Sequence, residues 1–505
     1  MHGMVCQIGV PQLINNIILM TGFKKYLLVF IVIVTIPCIV TSQNNYVGVG
    51  QYIKNILPMR ERVQHMELWW KWKRKHVLPD VMREQSVDMW IIRNNEADLY
   101  YNNEGPVFTS LLSANFEGMT LPSKYASPGS QRIPSFLLFF DSGNEIQYYE
   151  PRDYEHVGSL AKTLNPKRIA ISSVDNKLML RSLGKKYSKR IIDSWTLGVR
   201  WLETMSPGQI DSYTHVQGLA NDIIAEGFSN ATVVPGITTT DDLNWWFRHK
   251  YLELDLEVEN HPTVIVKRRP SLIQKYSQID SPEKFRNGRT QNGTNVVIQR
   301  GDIISIDSDI MLLGLVTDSH QHVYVLQNGE EDVPEELKQA LITVNKMQDL
   351  FAAEFILGRT GKEIVSASEK IQPLKTIIET ELGFHPPPMF IRRFLLGGYM
   401  FSHKTYVAGM TSGPGYYPTS IVTNNHKLHL NTMYAFEPHT TIAVPGWGKN
   451  GVEIGIGQIA VFEENGLRYL NRPQYSNWHV IKSVSYTHLR AHETEADLVC
   501  RLLLE

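Results

Sequence analysis

The stretch GDIISIDSDIMLLGLVTDSHQHVYVL, residues 301–326, decides the fold of this chain. Apolar and polar residues alternate on both sides of a short break at Leu313-Gly314, which is typical of two antiparallel strands joined by a tight turn. With the turn centred there, residue 312 faces 315, residue 307 faces 320, and residue 318 lies one diagonal step away on the same face. The stretch therefore predicts a hairpin that carries Asp307 and Asp318 on one face.

These two aspartates have the spacing of a metal site. Diagonal neighbours on one sheet face lie roughly 7–8 Å apart at Cα. Two carboxylates at that separation can hold one or two divalent cations. Buried without a cation, they would repel each other, and one would take up a proton. Two solvated strand residues fit the spacing of Asp307 and Asp318 equally well.

The composition is that of an ordinary globular protein. The chain has 505 residues, of which 43% are hydrophobic and 20% charged, and its net charge is −1. This length allows two domains with sizeable cores. The balanced charge gives no support to nucleic acid or an acidic membrane surface as a partner.

Both ends of the chain carry segments that we exclude from fold reasoning. Residues 20–42 combine a basic start, an apolar run and a small-residue end, which predicts a secretory signal peptide beginning at Met20. A signal anchor is the alternative, although the apolar run is short for a span of about 20 residues. Cleavage would give a secreted or extracytoplasmic protein with no membrane segment. Residues 484–505 resemble a translated sequencing adapter.

These exclusions also decide what role the cysteines can have in the fold. Cys6, Cys38 and Cys500 are the three cysteines of the chain, and each lies in an excluded segment. Disulfides are therefore not expected to stabilise the fold.

Residues 43–195 have the pattern of a small α/β domain. A region rich in Trp, Arg and Lys at 46–90 predicts one or two helices. Short apolar runs at 89–101, 135–149 and 168–173 predict strands.

Residues 196–483 predict a second domain of the α+β class. Ser206-Pro-Gly-Gln209 has the form of a capping box, and Thr239 can cap a second helix. A polar stretch at 262–299 predicts a long loop that enters the hairpin. A helix over 334–382 and strands over 394–480 complete a domain with a curved antiparallel sheet.

Residues of about 195–483 resemble the pita-bread metallopeptidase family, which includes aminopeptidase P, prolidase, methionine aminopeptidase and creatinase. The resemblance is to secreted Xaa-Pro aminopeptidase-like members above all. Four segments carry it: FSNATVVPGITTTDDLNWW (228–246), IQRGDIISID (298–307), LGLVTDSHQHVYVL (313–326) and FSHK (401–404). It implies a curved antiparallel sheet flanked by helices, preceded by a smaller α/β creatinase-type domain.

The resemblance also implies a two-metal centre held by two aspartates, one histidine and two glutamates. Asp307 and Asp318 match the aspartates, His403 in Phe-Ser-His matches the histidine, and Glu437 in YAFEPH matches the first glutamate. Such a ligand set suits manganese, zinc or cobalt.

The second glutamate of the family is missing here. Its position falls on Gly457, or on Gln458 if the register slips by one. Glu453 and Glu463 are four and six residues from Gly457, roughly 13 and 20 Å along a strand. Since this glutamate bridges both metals in relatives, its loss weakens the second metal site most.

The acid–base residues of the family are also incomplete. After His403 the next histidine is His426, too late to match the histidine that assists the tetrahedral intermediate in relatives. His261 is a weak match for the substrate-binding histidine, and a packing role fits it as well. Asp309 stands where relatives have glycine, as either an extra ligand or an outward-facing side chain.

Two functions remain open on this basis. The first is a metal-dependent peptidase that removes the N-terminal residue from Xaa-Pro peptides, holding two metals if the site is intact and one or none if it is degenerate. The alternative is a secreted pseudoenzyme that binds a peptide or a partner protein. The sequence leaves open whether the chain acts alone or as a homodimer.

Overall fold

The structure is a computed structural model. It describes residues 52–93, 136–171, 176–193, 197, 200–201, 203–258, 262–313, 315–360, 363–364, 367, 427–436, 439–448, 451–471, 474 and 477–482. The chain divides into a short unit, Met1–Asn45, and a compact unit, Tyr46–Glu505, and every described residue belongs to the second. The predicted signal peptide and adapter segment lie outside the described residues. In the part of the chain that is described, no helix is both long enough and apolar enough to cross a bilayer.

Helices and strands are mixed along the chain, as predicted. The α-helices are α1 (Met59–His76), α2 (Leu78–Glu84), α3 (Tyr154–Leu164), α4 (Asn176–Ser188), α5 (Pro207–Gly227), α6 (Thr240–Glu253), α7 (Pro270–Lys275) and α8 (Glu335–Ala352). Short 3-10 helices cover Ile53–Asn55 and Pro282–Lys284.

The strands form several separate sheets. In chain order they are β1 (Met89–Arg93), β2 (Phe136–Asp141), β3 (Ile146–Tyr149), β4 (Ile169–Ile171), β5 (Ile191–Asp193), β6 (Glu257–Val258), β7 (Thr263–Lys267), β8 (Phe285–Arg286), β9 (Arg289–Thr290), β10 (Ile303–Ser308), β11 (Ile310–Leu312), β12 (Leu315–Val316), β13 (Ser319–Val325), β14 (Thr432–Phe436), β15 (His439–Ile442), β16 (Val452–Gly455), β17 (Gln458–Glu463), β18 (Gly466–Tyr469) and β19 (His479–Ile481).

The first part of the chain builds a five-stranded sheet with the order β3-β2-β1-β4-β5. Strand β1 pairs antiparallel with β2 and parallel with β4. Alternate residues of β1 enter two different cores: Trp90 packs with residues of α2, and Ile91 packs with residues of α3 and α4. Within the described residues, the helices and strands predicted in this region are confirmed, whereas the domain boundary near residue 195 stays a prediction.

The hairpin lies at the centre of a six-stranded sheet with the order β19-β13-β10-β7-β9-β8. Strands β10 and β13 are antiparallel, with Asp307 opposite His320, and β11 pairs with β12 through Leu312 and Leu315. The predicted hairpin and its register are therefore confirmed. The backbone turns at Leu313, whose φ of 58° lies in the left-handed region.

Helices α5 and α6 cover one face of this sheet. Helix α5 begins with the predicted capping box of Ser206 and Gln209, and α6 begins at the predicted cap Thr239, which forms a capping box with Asp242. An apolar stripe along α5, at helical spacing, is buried in one core with sheet residues from β7, β10 and β13. Its members are Ile210, Tyr213, Val216, Leu219 and Ile223.

The opposite face of the sheet packs on α8 and on the C-terminal strands. Ile303 and Tyr324 share a core with Leu337 and Phe351 of α8 and with Ile454 of β16. The helix predicted over 334–382 is shorter than expected: α8 ends at Ala352, and the described residues 353–360 form turns and an isolated bridge, with Gly358 at a φ of 81°. Asp307 and His320 lie on this same face because they are in step with Ile303 and Tyr324 along their strands.

The long loop predicted over 262–299 is wrong. Strand β7 pairs with β10 along its whole length, and α7, β8 and β9 follow within the same stretch. The signal was the β-branched run Thr-Val-Ile-Val at 263–266, which favours a strand inside an otherwise polar region. Burial of Val264 and Val266 between β10 and the helices outweighs the polar composition around them.

Candidate metal centre

Three side chains converge near the middle of the hairpin, at the end of β10 and the start of β13. Nε2 of His320 lies 2.9 Å from Oδ1 of Asp307 and 3.4 Å from Oδ1 of Asp318. One potential ligand atom from each residue lies within 4.8 Å of the other two. The two aspartates predicted from the sequence are thus brought together, and His320 joins them.

The three residues differ in their access to solvent. Asp307 exposes 52% of its side chain and His320 24%, whereas Asp318 exposes 7%. The group therefore lies at the edge of the core, with one carboxylate held inside and the other open to solvent. A small polar molecule or ion can reach it from the side of Asp307.

The electrostatics of the group favour an ionised carboxylate at Asp307. The protein packed around the inner side of Asp307 would by itself raise the pKa of this carboxyl, but the charge and hydrogen bond of His320 outweigh it and lower the pKa below its usual value. An ionised carboxylate is the form that binds a cation. Two carboxylate oxygens and one imidazole nitrogen are also a donor set that suits manganese, zinc or cobalt.

Two serines on the opposite face of the hairpin anchor its backbone next to the aspartates. Ser308 and Ser319 are paired across the strands. The hydroxyl of Tyr251 in α6 lies 2.6 Å from Oγ of Ser308, and Nε2 of Gln217 in α5 donates to Oγ of Ser319 over 2.9 Å. Each serine is adjacent in sequence to one of the aspartates. Hydrogen bonds to two helices therefore hold the backbone that orients both carboxylates.

A buried polar row continues from the site into the core. Ser305 is paired with His322, and Oγ of Ser305 lies 2.7 Å from Nδ1 of His322. Burial, and then the charge of Lys267, keep the pKa of His322 well below its ordinary value. Burial also lowers the pKa of Lys267 to about 8, and its Nζ donates to the carbonyl of Glu453. This row ties the hairpin to β16.

Gly457 lies directly against the hairpin backbone. Its N–H donates to the carbonyl of His320 over 3.3 Å. A Cβ at this position would stand 2.8 Å from the backbone nitrogen of His320 and 3.0 Å from the carbonyl oxygen of Asp318. Gly457, one of the two positions where the resemblance expects the bridging glutamate, therefore lies beside the aspartates, and a side chain there would meet backbone atoms of the hairpin.

The two nearest glutamates are occupied elsewhere. Nε of Arg289 lies 3.7 Å from the carboxylate of Glu453. Arg468 forms an ion pair with Glu463 over 2.7 Å. Neither belongs to the group around Asp307, in agreement with the strand distances expected from the sequence.

The remaining predicted site residues have different outcomes. His403, Glu437, His261 and His426 lie outside the described residues, so their roles stay predictions. Asp309 is buried, 8% exposed, which contradicts an outward-facing side chain, and its charge raises the pKa of Tyr251 further after burial. It is not in the three-residue group.

Sequence reasoning missed His320 as a member of the site. The resemblance directed attention to His403 as the only histidine ligand. The signal was nevertheless present, since the hairpin register already placed residue 320 opposite Asp307.

Comparisons with known proteins give similarities at low sequence identity. No protein-family model matches the sequence, and no curated protein sequence matches it. An X-Pro aminopeptidase from Thermotoga maritima is 15% identical with a TM-score of 0.45, covering 80% of this chain and 99% of its own. A putative aminopeptidase P from Bacillus anthracis is 9% identical with a TM-score of 0.48, covering 81% and 96%.

A third similar structure is not named as a peptidase. It is the N-terminal domain of a FACT complex subunit from Eremothecium gossypii, which is 9% identical with a TM-score of 0.45 and covers 85% of this chain and 100% of its own. At these identities and TM-scores the similarities assign neither fold nor function. The proposals below rest on the residues of this chain.

Proposed function

We propose that this chain is a metallopeptidase homologue of the pita-bread class, similar to Xaa-Pro aminopeptidases, that binds a divalent cation at Asp307 and Asp318. The observation that carries the proposal is the convergence of these two carboxylates on one face of the hairpin. The motif resemblance over about 195–483 supports the substrate class, peptides with proline in the second position. The predicted signal peptide supports action outside the cytoplasm.

The residues of the site have separable tasks in this proposal. Asp318, held inside, and Asp307, open to solvent, bind the cation from two strands. When bound, such a cation polarises a carbonyl group and lowers the pKa of water. Tyr251 and Gln217 keep the strands in place through the serines beside the aspartates. No described residue is assigned as a proton shuttle.

We further propose that peptide cleavage by this chain is weak. The support is the contact of Gly457 with the backbone of Asp318 and His320, because a side chain there would collide with the hairpin. Without the bridging carboxylate that relatives have, a second cation lacks its shared ligand. A secreted pseudoenzyme that binds peptides is the second candidate, and the same contact favours it.

The test measures metal content and cleavage together. Full-length protein is loaded with manganese or zinc, dialysed, and analysed for metal per chain, and Xaa-Pro peptides of varied first residue are then offered. We expect one tightly held metal, lost in Asp307→Asn, and slow cleavage that disappears in the same variant. Two stoichiometric metals with rapid cleavage would contradict the one-metal proposal. Metal binding with no cleavage would select the pseudoenzyme, and no metal binding would reject the site.

A further inference from the structure

We infer that His320 is a metal ligand in this chain and that, with Asp307 and Asp318, it forms a three-residue site for one divalent cation; the inference rests on the proposed function. The resemblance assigns the histidine ligand to His403 and gives residue 320 no role. The structure brings the His320 side chain into the group as its third member.

The distances between the three side chains fit ligands around one ion. With metal–ligand bonds of about 2.05 Å, adjacent ligand atoms are about 2.9 Å apart in octahedral and about 3.3 Å apart in tetrahedral geometry. Nε2 of His320 lies 2.9 and 3.4 Å from one oxygen of Asp307 and one of Asp318. Both separations therefore match a shared cation without movement of the imidazole.

The backbone of His320 is fixed on both sides. It pairs with Asp307 across β10 and β13, and its carbonyl accepts the N–H of Gly457. The close contact with Gly457 leaves the chain little freedom to shift away from the aspartates. A ligand held in place before binding loses less conformational freedom when the ion arrives.

The partial exposure of the imidazole leaves a path to the ion. His320 exposes 24% of its side chain, beside the half-exposed Asp307. Its Nε2 contacts two carboxylates that come from different strands. A single N–H cannot point at both oxygens, whereas a cation between the three atoms interacts with all of them at once.

A competing arrangement makes the opposite prediction. If His320 is a protonated partner that takes the place of the cation, its removal frees both carboxylates and strengthens metal binding. If His320 is a ligand, its removal weakens binding. The sign of the change in affinity therefore separates the two arrangements.

The experiment is a calorimetric titration of the metal-free full-length protein with Zn²⁺ and with Mn²⁺. The variants are His320→Ala, His320→Asn and Asp307→Asn, with His249→Ala as the matched control, since His249 is an exposed histidine on α6 outside the group. We expect wild type and the control to bind one ion alike, and the His320 variants to bind at least about tenfold more weakly, which corresponds to about 1.4 kcal/mol.

The outcomes distinguish this inference from the proposed function. Equal or tighter binding by both His320 variants would overturn the inference, while weak binding by Asp307→Asn would still support the aspartate site. Absence of binding by wild type would overturn both. Circular dichroism of the metal-free variants checks folding, and His320→Asn serves in place of the alanine variant if that one does not fold. The absorption spectrum of the Co²⁺ form gives a second readout, which changes when an imidazole ligand is lost.

Discussion

Replacement of Gly457 tests whether the backbone beside the aspartates has room for a side chain at this position. In Gly457→Ala the new Cβ would lie 2.8 Å from the backbone nitrogen of His320 and 2.9 Å from its Cγ. Ordinary contacts begin near 3.4 Å, so a strand must move by about 0.6 Å or the imidazole must turn. Overpacking of this kind typically costs about 1–3 kcal/mol. We therefore expect a lower melting temperature and weaker metal binding, because His320 is displaced.

Gly457→Glu extends the same test to the missing ligand. A full side chain meets backbone atoms of Asp318 and His320, which cannot rotate away as a side chain can. We expect a larger loss of stability than in Gly457→Ala and no second metal. Scanning fluorimetry and elemental analysis measure the two effects. Gly329→Ala is the control, since a Cβ there meets nothing within 4 Å and only its φ of 85° is strained.

The refuting results are specific. Wild-type stability and metal affinity in Gly457→Ala would mean that β17 can move away from the hairpin at no cost. A folded Gly457→Glu variant that holds two metals would show that the glycine alone removed the second site. Lack of room at Gly457 would then not explain the low activity that we propose.

Two further predictions concern buried charge. Burial lowers the pKa of His479 to about 4, so the unfolded chain binds its proton first as the pH falls below about 6.5. This contribution to stability is complete above pH 6.5, and at most about 3 kcal/mol is lost between pH 6.5 and 4. Urea unfolding at several pH values measures how steeply the free energy of unfolding falls with pH. We expect a smaller fall in His479→Gln, and an unchanged fall would contradict the prediction. Asp302→Ala removes the carboxylate that binds fully buried Arg268 through two bonds of 2.7 Å, so we expect a loss of about 3–5 kcal/mol in the same assay. Asp332→Ala, at an exposed ion pair, should cost less than about 1 kcal/mol, and equal losses in the two variants would refute the argument.

Local sequence patterns predicted a large part of the fold correctly. The capping boxes at Ser206 and Thr239 fixed the starts of α5 and α6, since they depend on residues within one turn. The hairpin register followed from the alternation around Leu313, because a shift of one residue would reverse every side chain. The strand at Thr263–Lys267 was missed because the polar residues around its β-branched run favour a loop, whereas its pairing with β10 is decided by tertiary packing.

The sequence by itself determined that Asp307 and Asp318 share a face of one hairpin, since the period of a strand is a local property. Only the tertiary structure decided what surrounds them. Gly457, far along the chain, reaches the backbone of His320, and the imidazole of His320 then stands between the two carboxylates. The contact of Gly457 depends on the packing of a distant strand, which no local pattern encodes.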